Sequence, residues 1–437
     1  MNDIKIGLVG LGTVGTGTAK LLLNNAELIE EKTGARLVLK KIADLDIDTD
    51  RGITLPPGIL TTRVDEVLTD PEIAVVVELI GGYEPAKTFV LRAIEHGKHV
   101  VTANKALLAL HGEEIFAAAA RRGVEVLYEA AVGGGIPVLS SIKGNLAANR
   151  FTTVLGILNG TCNYILTKMT KDGAEFGAVL KRAQELGYAE VDPTFDIEGI
   201  DTAHKISLLA SLCFGTRLNF GDIYTEGISS LSALDINFAR DFGYKIKLLA
   251  IGKCDGDEVE VRVHPTMIPV NYPLADVDGV FNAIRLTGDF VGPVMFYGRG
   301  AGLAPTASAV VGDVIEVARS IIAGAGRRTA PLGFLDEKVR TLPLKPMGEI
   351  VSKYYIRFTV ADKPGVLARI AGELGKYGIS IESMIQSARS DQESVPIVIM
   401  THEAREKDVQ AALANIDGFS DIVREKSNLI RIEDNLE

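Results

Sequence analysis

The residue types best suited to chemistry are concentrated in residues 187–205, GYAEVDPTFDIEGIDTAHK. This stretch carries Glu190, Asp192, Asp196, Glu198 and Asp201 and closes on Lys205. From residue 200 onward IDTAHKISLLASL has apolar residues at helical spacing, which puts Asp201 and Lys205 one turn apart on one face. A carboxylate beside a lysine favours its charged form and burial opposes it, so such a pair can give up and recover a proton at a reacting oxygen. The same spacing also serves as a weak ion pair on a solvated helix. Context favours the chemical reading. Pro193 and Gly199 break the acidic run into a loop, and the helix that follows is strongly apolar, so a charged pair at its start needs a reason.

A second constellation opens the chain. Residues 4–9 (IKIGLV) read as an apolar strand, followed by Gly10-Leu11-Gly12-Thr13-Val14-Gly15 and a helix to about residue 23. In a strand–turn–helix the first glycine permits the tight turn, the second lets backbone approach a pyrophosphate, and the third lets helix and strand pack closely. The helix N-terminus then offers N–H groups and a positive dipole end to phosphate. A plain tight turn is the competing reading. The next strand, 37–43, ends at Asp44, where an acid bonds the ribose 2′-OH of NAD and disfavours the extra phosphate of NADP. Its spacing is lengthened by what reads as an inserted turn at 30–35, and Lys40, Lys41 and Arg51 lie near enough in sequence to meet a phosphate, so NAD and NADP both stay open with a lean to NAD. The apolar run 73–80 suits a parallel strand covered on both faces and ends in Gly81-Gly82, where a cofactor can approach the backbone. A helix at 85–96 and a strand at 99–102 follow, then Ala103-Asn104-Lys105. Lys105 thus stands past the C-terminal end of a parallel strand, the ligand edge of such sheets, or is simply a surface lysine.

These groups need a scaffold. Strands and helices alternate to about residue 130, ending with a helix at 107–122 and a strand at 124–129, which predicts a doubly wound α/β sheet. The glycine-rich bend 129–137 (EAAVGGGIP) is either a hinge or a place where carbonyls converge on a hard cation. Beyond it, a strand at 152–158, helices at 162–169 and 175–186, and a β-rich region at 245–297 suggest an antiparallel sheet carrying substrate contacts and a subunit interface. Gly298-Arg299-Gly300-Ala301-Gly302 then opens a helix at 305–323 that returns to the nucleotide domain. The lone His264, before a proline in a strand, reads as structural, and the six histidines lack metal-ligand spacing. Net charge is −11, which argues against nucleic acid or an anionic membrane as partner. Cys162, Cys213 and Cys254 form no paired spacing, as expected in a reducing cytoplasm. No signal-peptide pattern and no transmembrane-length apolar run is present in the sequence.

The segments GLVGLGTVG at 7–15, TANKALLA at 102–109, YEAAVGGGIPVLSS at 128–141, LNGTCNYIL at 158–166 and the acidic stretch itself resemble homoserine dehydrogenase, in order and to about residue 325. The resemblance implies reversible NAD(P)-linked reduction of L-aspartate 4-semialdehyde to L-homoserine. It implies Lys205 as proton donor to the carbonyl oxygen, Lys105 beside cofactor and substrate, and Glu190 and Asp201, within the acidic run that also holds Asp196, on the amino-acid part of the substrate. It further implies a sodium-type cation held at Glu129, Val132, Gly134 and Ile136, largely through main-chain oxygens, and cofactor contact at Gly302. Arg299 departs from the family, which has a small residue or proline there; it either meets a phosphate or faces solvent.

The tail reads as βαββαβ after a linker at 345–353: strands at 354–360, 379–386, 396–401 and 427–432, a turn at 362–367 opening a helix to 377, and a helix at 403–414, which is a ferredoxin-like order. Its Asp362-Lys363-Pro364-Gly365-Val366-Leu367 turn resembles the ACT domain. That resemblance implies amino-acid binding at paired modules through Gly365, Val366 and Leu367, with L-threonine as effector; a module that only dimerises is the alternative. The expected organisation is therefore a Rossmann-type domain at 1–133 completed by 299–325, an α+β substrate and dimerisation domain at 134–298, a linker at 326–352 and the ACT module at 353–437. The expected assembly is a dimer or tetramer of a cytoplasmic enzyme. Two other classes compete: a nicotinamide enzyme acting on an amine, which would not need DPTFDIEGIDTAHK, and a non-catalytic amino-acid sensor, which would not need a lysine at position 205.

Overall fold

Short runs rich in Val, Ile and Leu, most of them followed by a turn and a helix, fold here as buried parallel strands. The structure, a computed structural model, describes residues 3–386 and 394–434. The chain divides into two units: Met1–Gly160 with Asp201–Ile223 and Phe281–Leu342, and Thr161–Ile200 with Tyr224–Val280 and Pro343–Glu437.

In the first unit β1 (Asp3–Val9), β2 (Arg36–Ala43), β3 (Leu60–Thr61), β4 (Ile73–Glu78), β5 (His99–Thr102) and β6 (Val126–Leu127) form a parallel sheet in the order β3-β2-β1-β4-β5-β6. That is the doubly wound order of a dinucleotide-binding domain. Ile6, Leu8, Ile42, Val75, Val77 and Val101 make its core with Val310, Val314 and Val317 of the helix Leu303–Ile322. The register aligns the strand ends: Val9 faces Ala43 on one side and Glu78 on the other, and Glu78 faces Thr102. The loops carrying the glycine motif, Asp44, Gly81 and Lys105 therefore leave the sheet at one edge. The strands Phe151–Ile157, Phe281–Gly288 and Gly292–Arg299 pair antiparallel in the same unit.

Four local readings differ from expectation. Residues 30–35 are not an inserted turn: AELIEEKT forms the helix Ala26–Thr33, stopped by Gly34 at φ 76°, a left-handed cap that only glycine adopts at little cost. The helix expected from residue 107 begins at Lys105, because the Asn104 side chain accepts from Leu107 N at 3.0 Å. The strand expected at 124–129 is only Val126–Leu127, since Glu129 N turns to donate to Asp313 Oδ2 at 2.7 Å. The strand expected at 354–360 begins earlier, within the stretch read as a linker at 345–353. Lys345 N donates to Val259 O at 2.7 Å, and a strand starts at Val351.

In the second unit, Tyr244–Cys254 pairs antiparallel with Val259–Pro269. The latter accepts Val423–Ile432 in parallel at Thr266–Arg431 and Met267–Ile432. Next come Val351–Ala361, Ser394–Thr401 and Ile381–Gln386. With helices Val366–Lys376 and Glu406–Asp417 the tail is βαββαβ, and Tyr354, Ile356, Phe358, Ile370, Ile397 and Val409 pack as its core. Its sheet is thus continuous with Tyr244–Cys254 and Val259–Pro269 of the same unit. The seam is ionic: buried Asp235 receives Arg357 Nε at 2.7 Å, Tyr355 OH at 2.9 Å and Asn428 Nδ2 at 2.9 Å. Buried Arg431 donates to Glu406 at 2.5 Å and Glu226 at 2.7 Å, and buried Arg262 to Glu433 at 2.9 Å. His264 is also buried here. It lies against Arg262 at 2.7 Å, and burial with the surrounding positive charge holds its imidazole well below the ordinary histidine range, as a structural residue.

Candidate active site

The apolar helix Ile200–Phe214 is buried along its length, including Asp201 and Lys205 at its start. Only 5% of Asp201 and 8% of Lys205 is exposed, which excludes the solvated ion pair. Lys205 Nζ donates to Asp201 Oδ2 at 2.6 Å and to the Leu158 carbonyl at 2.7 Å. Lys105 Nζ lies 3.0 Å from Asp201 Oδ1 and Asn159 Nδ2 3.0 Å from Oδ2. Burial alone would raise the Asp201 carboxyl, but the Lys205 and Lys105 charges, with hydrogen bonds from Lys205 and Asn159, outweigh it and hold the carboxyl well below the usual range. One permanent carboxylate thus aims two ammonium groups. Beside them the His204 ring stacks on Phe220 at 4.1 Å, and burial pushes it down to about 4, so it is neutral at physiological pH.

At the neighbouring strand edge the glycines are steric requirements. A Cβ on Gly15 would stand 2.1 Å from the Gly10 carbonyl oxygen, and one on Gly10, at φ 97°, would meet Leu79 at 2.8 Å. Gly12 has open space where its Cβ would be and begins the helix Thr13–Asn24 with no side-chain cap, leaving the first N–H groups of a twelve-residue helix for a phosphate. Leu11 and Val14 belong to the core of this unit, whereas the Thr13 side chain is exposed. The Asp44 carboxylate accepts from Leu11 N and Asp46 N and so holds the loop. Of the three basic residues weighed against it, Lys40 is engaged by Asp70 and Glu72, Lys41 by Glu66, and Arg51 lies 3.6 Å from Asp44 itself. The residues fit a dinucleotide.

The two glycine turns meet: a Cβ on Gly134 would strike Gly300 O at 2.4 Å, and Gly302, at φ 117°, caps the helix Leu303–Ile322. That helix lies against Thr13–Asn24 where Gly17 faces Leu303. Arg299 is exposed with its guanidinium 5.4 Å over the Phe281 ring. At the bend the Glu129 and Ile136 carbonyls each accept one backbone N–H, from Val132 at 3.3 Å and Val138 at 2.8 Å, so each keeps a second lone pair. The Glu129 carboxylate is spent on Leu139 N and Ser140 N. Its neighbour Asp313 is pushed up to about 8 by burial and by Glu129. Neutral carbonyl oxygens of Glu129, Val132, Gly134 and Ile136 suit a hard monovalent cation. Among the described residues no group of three or more His, Cys, Asp or Glu that could hold a metal ion occurs.

Glu190 and Asp196 belong to the second unit. Glu190 is exposed, its carbonyl receiving Gln184 at 3.0 Å. Asp196 lies in the short helix Thr194–Ile197, with its carbonyl receiving Cys162 Sγ at 3.1 Å. Gly365, at φ 88°, caps Val366–Lys376; Val366 is buried and Leu367 half-buried. Asn159 and the Leu158 carbonyl were not singled out from sequence. Asn-Gly-Thr reads as a turn, and a main-chain acceptor carries no sequence signal. Asn104 had one, as an N-cap residue before a helix, and so had Glu78, an acid ending an apolar strand. No helix among the described residues is long and apolar enough to cross a membrane.

Comparison with known proteins bears on these groups together. Residues 137–315 match the family profile described as homoserine dehydrogenase, residues 10–129 that of the homoserine dehydrogenase NAD-binding domain, and residues 354–418 that of the ACT domain. A homoserine dehydrogenase of Neisseria gonorrhoeae is 47% identical over 433 residues, 99% of either chain. One from Synechocystis is 46% identical over 440 residues, 98% of this chain and 99% of the other. The crystal structure of a homoserine dehydrogenase from Thiobacillus denitrificans superimposes with TM-score 0.93 at 47% identity, covering 99% of each chain.

Proposed function

This chain belongs to the homoserine dehydrogenase family, and from that premise we propose that Lys205, Lys105 and Asp201 form the reaction centre for reversible reduction of L-aspartate 4-semialdehyde to L-homoserine. The protein is an NAD(P)-dependent oxidoreductase acting on a CH–OH group, with a Rossmann-like NAD(P)-binding domain, an α/β catalytic domain and an ACT domain, and its role lies in amino-acid biosynthesis. The bound dinucleotide supplies or accepts the hydride.

What the chain's residues do follows from their charges. Reduction of an aldehyde builds negative charge on oxygen, and a buried ammonium stabilises it and delivers a proton. Lys205 holds that proton at Nζ, aimed by Asp201 and the Leu158 carbonyl. Lys105 shares the carboxylate and adds a second positive charge beside the reacting oxygen. Asp201, permanently ionised, keeps both ammonium groups in register, and with Glu190 and Asp196 we assign it to the substrate's amino-acid end. Gly10, Leu11, Gly12, Thr13, Val14 and Gly15, with Asp44, Gly81 and Gly302, would hold the dinucleotide. The main-chain oxygens of Glu129, Val132, Gly134 and Ile136 would hold a sodium-type cation. The observation that carries the assignment is the shared carboxylate, with Lys205 and Lys105 on its two oxygens.

Cofactor choice leans to NAD because Asp44 stands at the end of β2, while Arg51 beside it supports acceptance of NADP as well. For the tail, the ACT domain supports feedback by L-threonine at Gly365, Val366 and Leu367 in a homo-oligomer, dimer or tetramer, and the enzyme is taken as cytoplasmic. The test is an initial-rate assay with L-homoserine, comparing NAD with NADP, with and without L-threonine. Turnover that falls with threonine supports enzyme and effector together. Turnover indifferent to threonine leaves the tail as an assembly module, and no turnover with either cofactor overturns the reading.

A further inference from the structure

Glu78 ends β4 with 1% of its surface exposed, in a strand otherwise apolar. Burying a carboxylate is costly unless hydrogen bonds hold it. Thr102 Oγ1 donates to the Glu78 Oε2 at 2.6 Å, Ile80 N and Gly81 N donate to Oε1 at 2.9 and 3.3 Å, and the Asn104 side chain also bonds the carboxylate. Thr102 in turn accepts from Asn104 N at 3.0 Å. The Asn104 side chain accepts from Leu107 N at 3.0 Å to cap the helix Lys105–Arg122 and donates to Gly82 O at 2.7 Å. The bonds close a ring from Glu78 through Thr102 and Asn104 to Gly82 and back along the turn to Gly81 and Ile80. Lys105 is the first residue of the helix that this ring caps.

We propose that Glu78 is a positioning residue: its carboxylate orients the Thr102 hydroxyl, which fixes the Asn104 cap, which sets the backbone from which Lys105 reaches Asp201. A carboxylate suits the place because every group facing it donates, and because it obliges Thr102 to point its proton at Glu78 and its lone pair at Asn104. A glutamine amide cannot do both jobs. With its oxygen toward Thr102, its NH2 faces two N–H donors. With its NH2 toward Thr102, the hydroxyl oxygen accepts from both sides and its own proton loses the Glu78 acceptor. The inference rests on the assignment of Lys105 to the reaction.

The test uses the full-length protein and the variants Glu78→Gln, Thr102→Val, Thr102→Ser, Lys105→Ala and Thr102→Val/Lys105→Ala. Thr102→Val keeps shape and deletes the hydroxyl, so it serves if Glu78→Gln folds poorly. Loss of a supporting hydrogen bond of this kind lowers turnover about 10–100-fold, so Glu78→Gln and Thr102→Val lose that much kcat with folded far-UV spectra. Thr102→Ser restores most of it. In the Lys105→Ala background Thr102→Val costs nothing further, because a residue acting through Lys105 has nothing left to act on. Unchanged kcat in Thr102→Val, or a loss that persists in full on Lys105→Ala, overturns the proposal and leaves a structural network. Lys105→Ala turning over at the wild-type rate overturns the role of Lys105 and the relay to it together. Lys105→Ala impaired with Thr102→Val intact overturns the relay alone.

Discussion

Replacing Lys205 with alanine removes one ammonium and tests the proposed reaction centre directly. The structural cost is bounded by what remains. Asp201 keeps Lys105 at 3.0 Å and Asn159 at 3.0 Å, so no buried charge is stranded. The Leu158 carbonyl loses the donor at 2.7 Å, worth about 1–3 kcal/mol for a buried acceptor left unsatisfied. A domain of ordinary stability survives that. The catalytic cost is larger. Proton transfer by a positioned side chain contributes about 10²–10⁴-fold and one preorganised donor at a developing oxyanion about 10²–10³-fold. Because a single Nζ does both jobs the two factors overlap, and about 10⁴-fold in kcat is expected, roughly 5.4 kcal/mol at 1.36 kcal/mol per decade. The assay is the initial rate of L-homoserine oxidation at saturating cofactor, run beside urea unfolding of the same preparation. A kcat within about tenfold of wild type, or a loss confined to KM, would refute the assignment of proton transfer to Lys205.

Two further outcomes are expected. Gly15→Ala pushes a methyl against the Gly10 carbonyl, 2.1 Å from where it would sit; the obstacle is backbone, so the turn must open, and dinucleotide affinity measured by nicotinamide fluorescence falls about tenfold or more for each 1.4 kcal/mol of displacement. Asp313 is pushed up to about 8 in the fold by burial and by Glu129 against about 3.9 unfolded. Between those values the folded chain binds more protons than the unfolded one, so its contribution to stability is present below about pH 4 and is lost as pH rises, by up to about 1.4 kcal/mol per pH unit. Asp313→Asn removes that slope, and urea midpoints at pH 5, 6 and 7 then lie closer together than in wild type; equal spacing in the two proteins counts against a protonated Asp313.

The strands and helices of the nucleotide sheet were legible because a buried parallel strand writes itself as a continuous apolar run and its turn as glycine. The boundaries that slipped did so where tertiary partners intervene. Asp313, distant in sequence, draws Glu129 out of its strand, and Gly34 ends a helix whose polar surface resembled a turn. In the site, Asp201 and Lys205 could be paired from spacing because helix geometry is local. That Lys105 shares the same carboxylate could not, since residues 105 and 201 meet only through the fold. Glu78 stood in plain view as the one acid in an apolar strand, yet its meaning depends on what faces it across the β4–β5 register.

The ionic seam in the second unit bears on how the C-terminal ACT module can be removed. Asp235 is fully buried, and apart from Ser232 its partners among the described residues, Tyr355, Arg357 and Asn428, all belong to the tail. A stop codon before residue 343 would strip that carboxylate of its cation and the half-buried Glu226 of Arg431, and stranding the buried Asp235 carboxylate costs about 3–5 kcal/mol. It would also lay bare an edge of Val259–Pro269 at Thr266 and Met267. A shortened chain is therefore one deprived of part of its own foundation, prone to pair that open strand with a neighbour. A module swap must carry hydrogen-bond donors for Asp235 and Glu226 across with it.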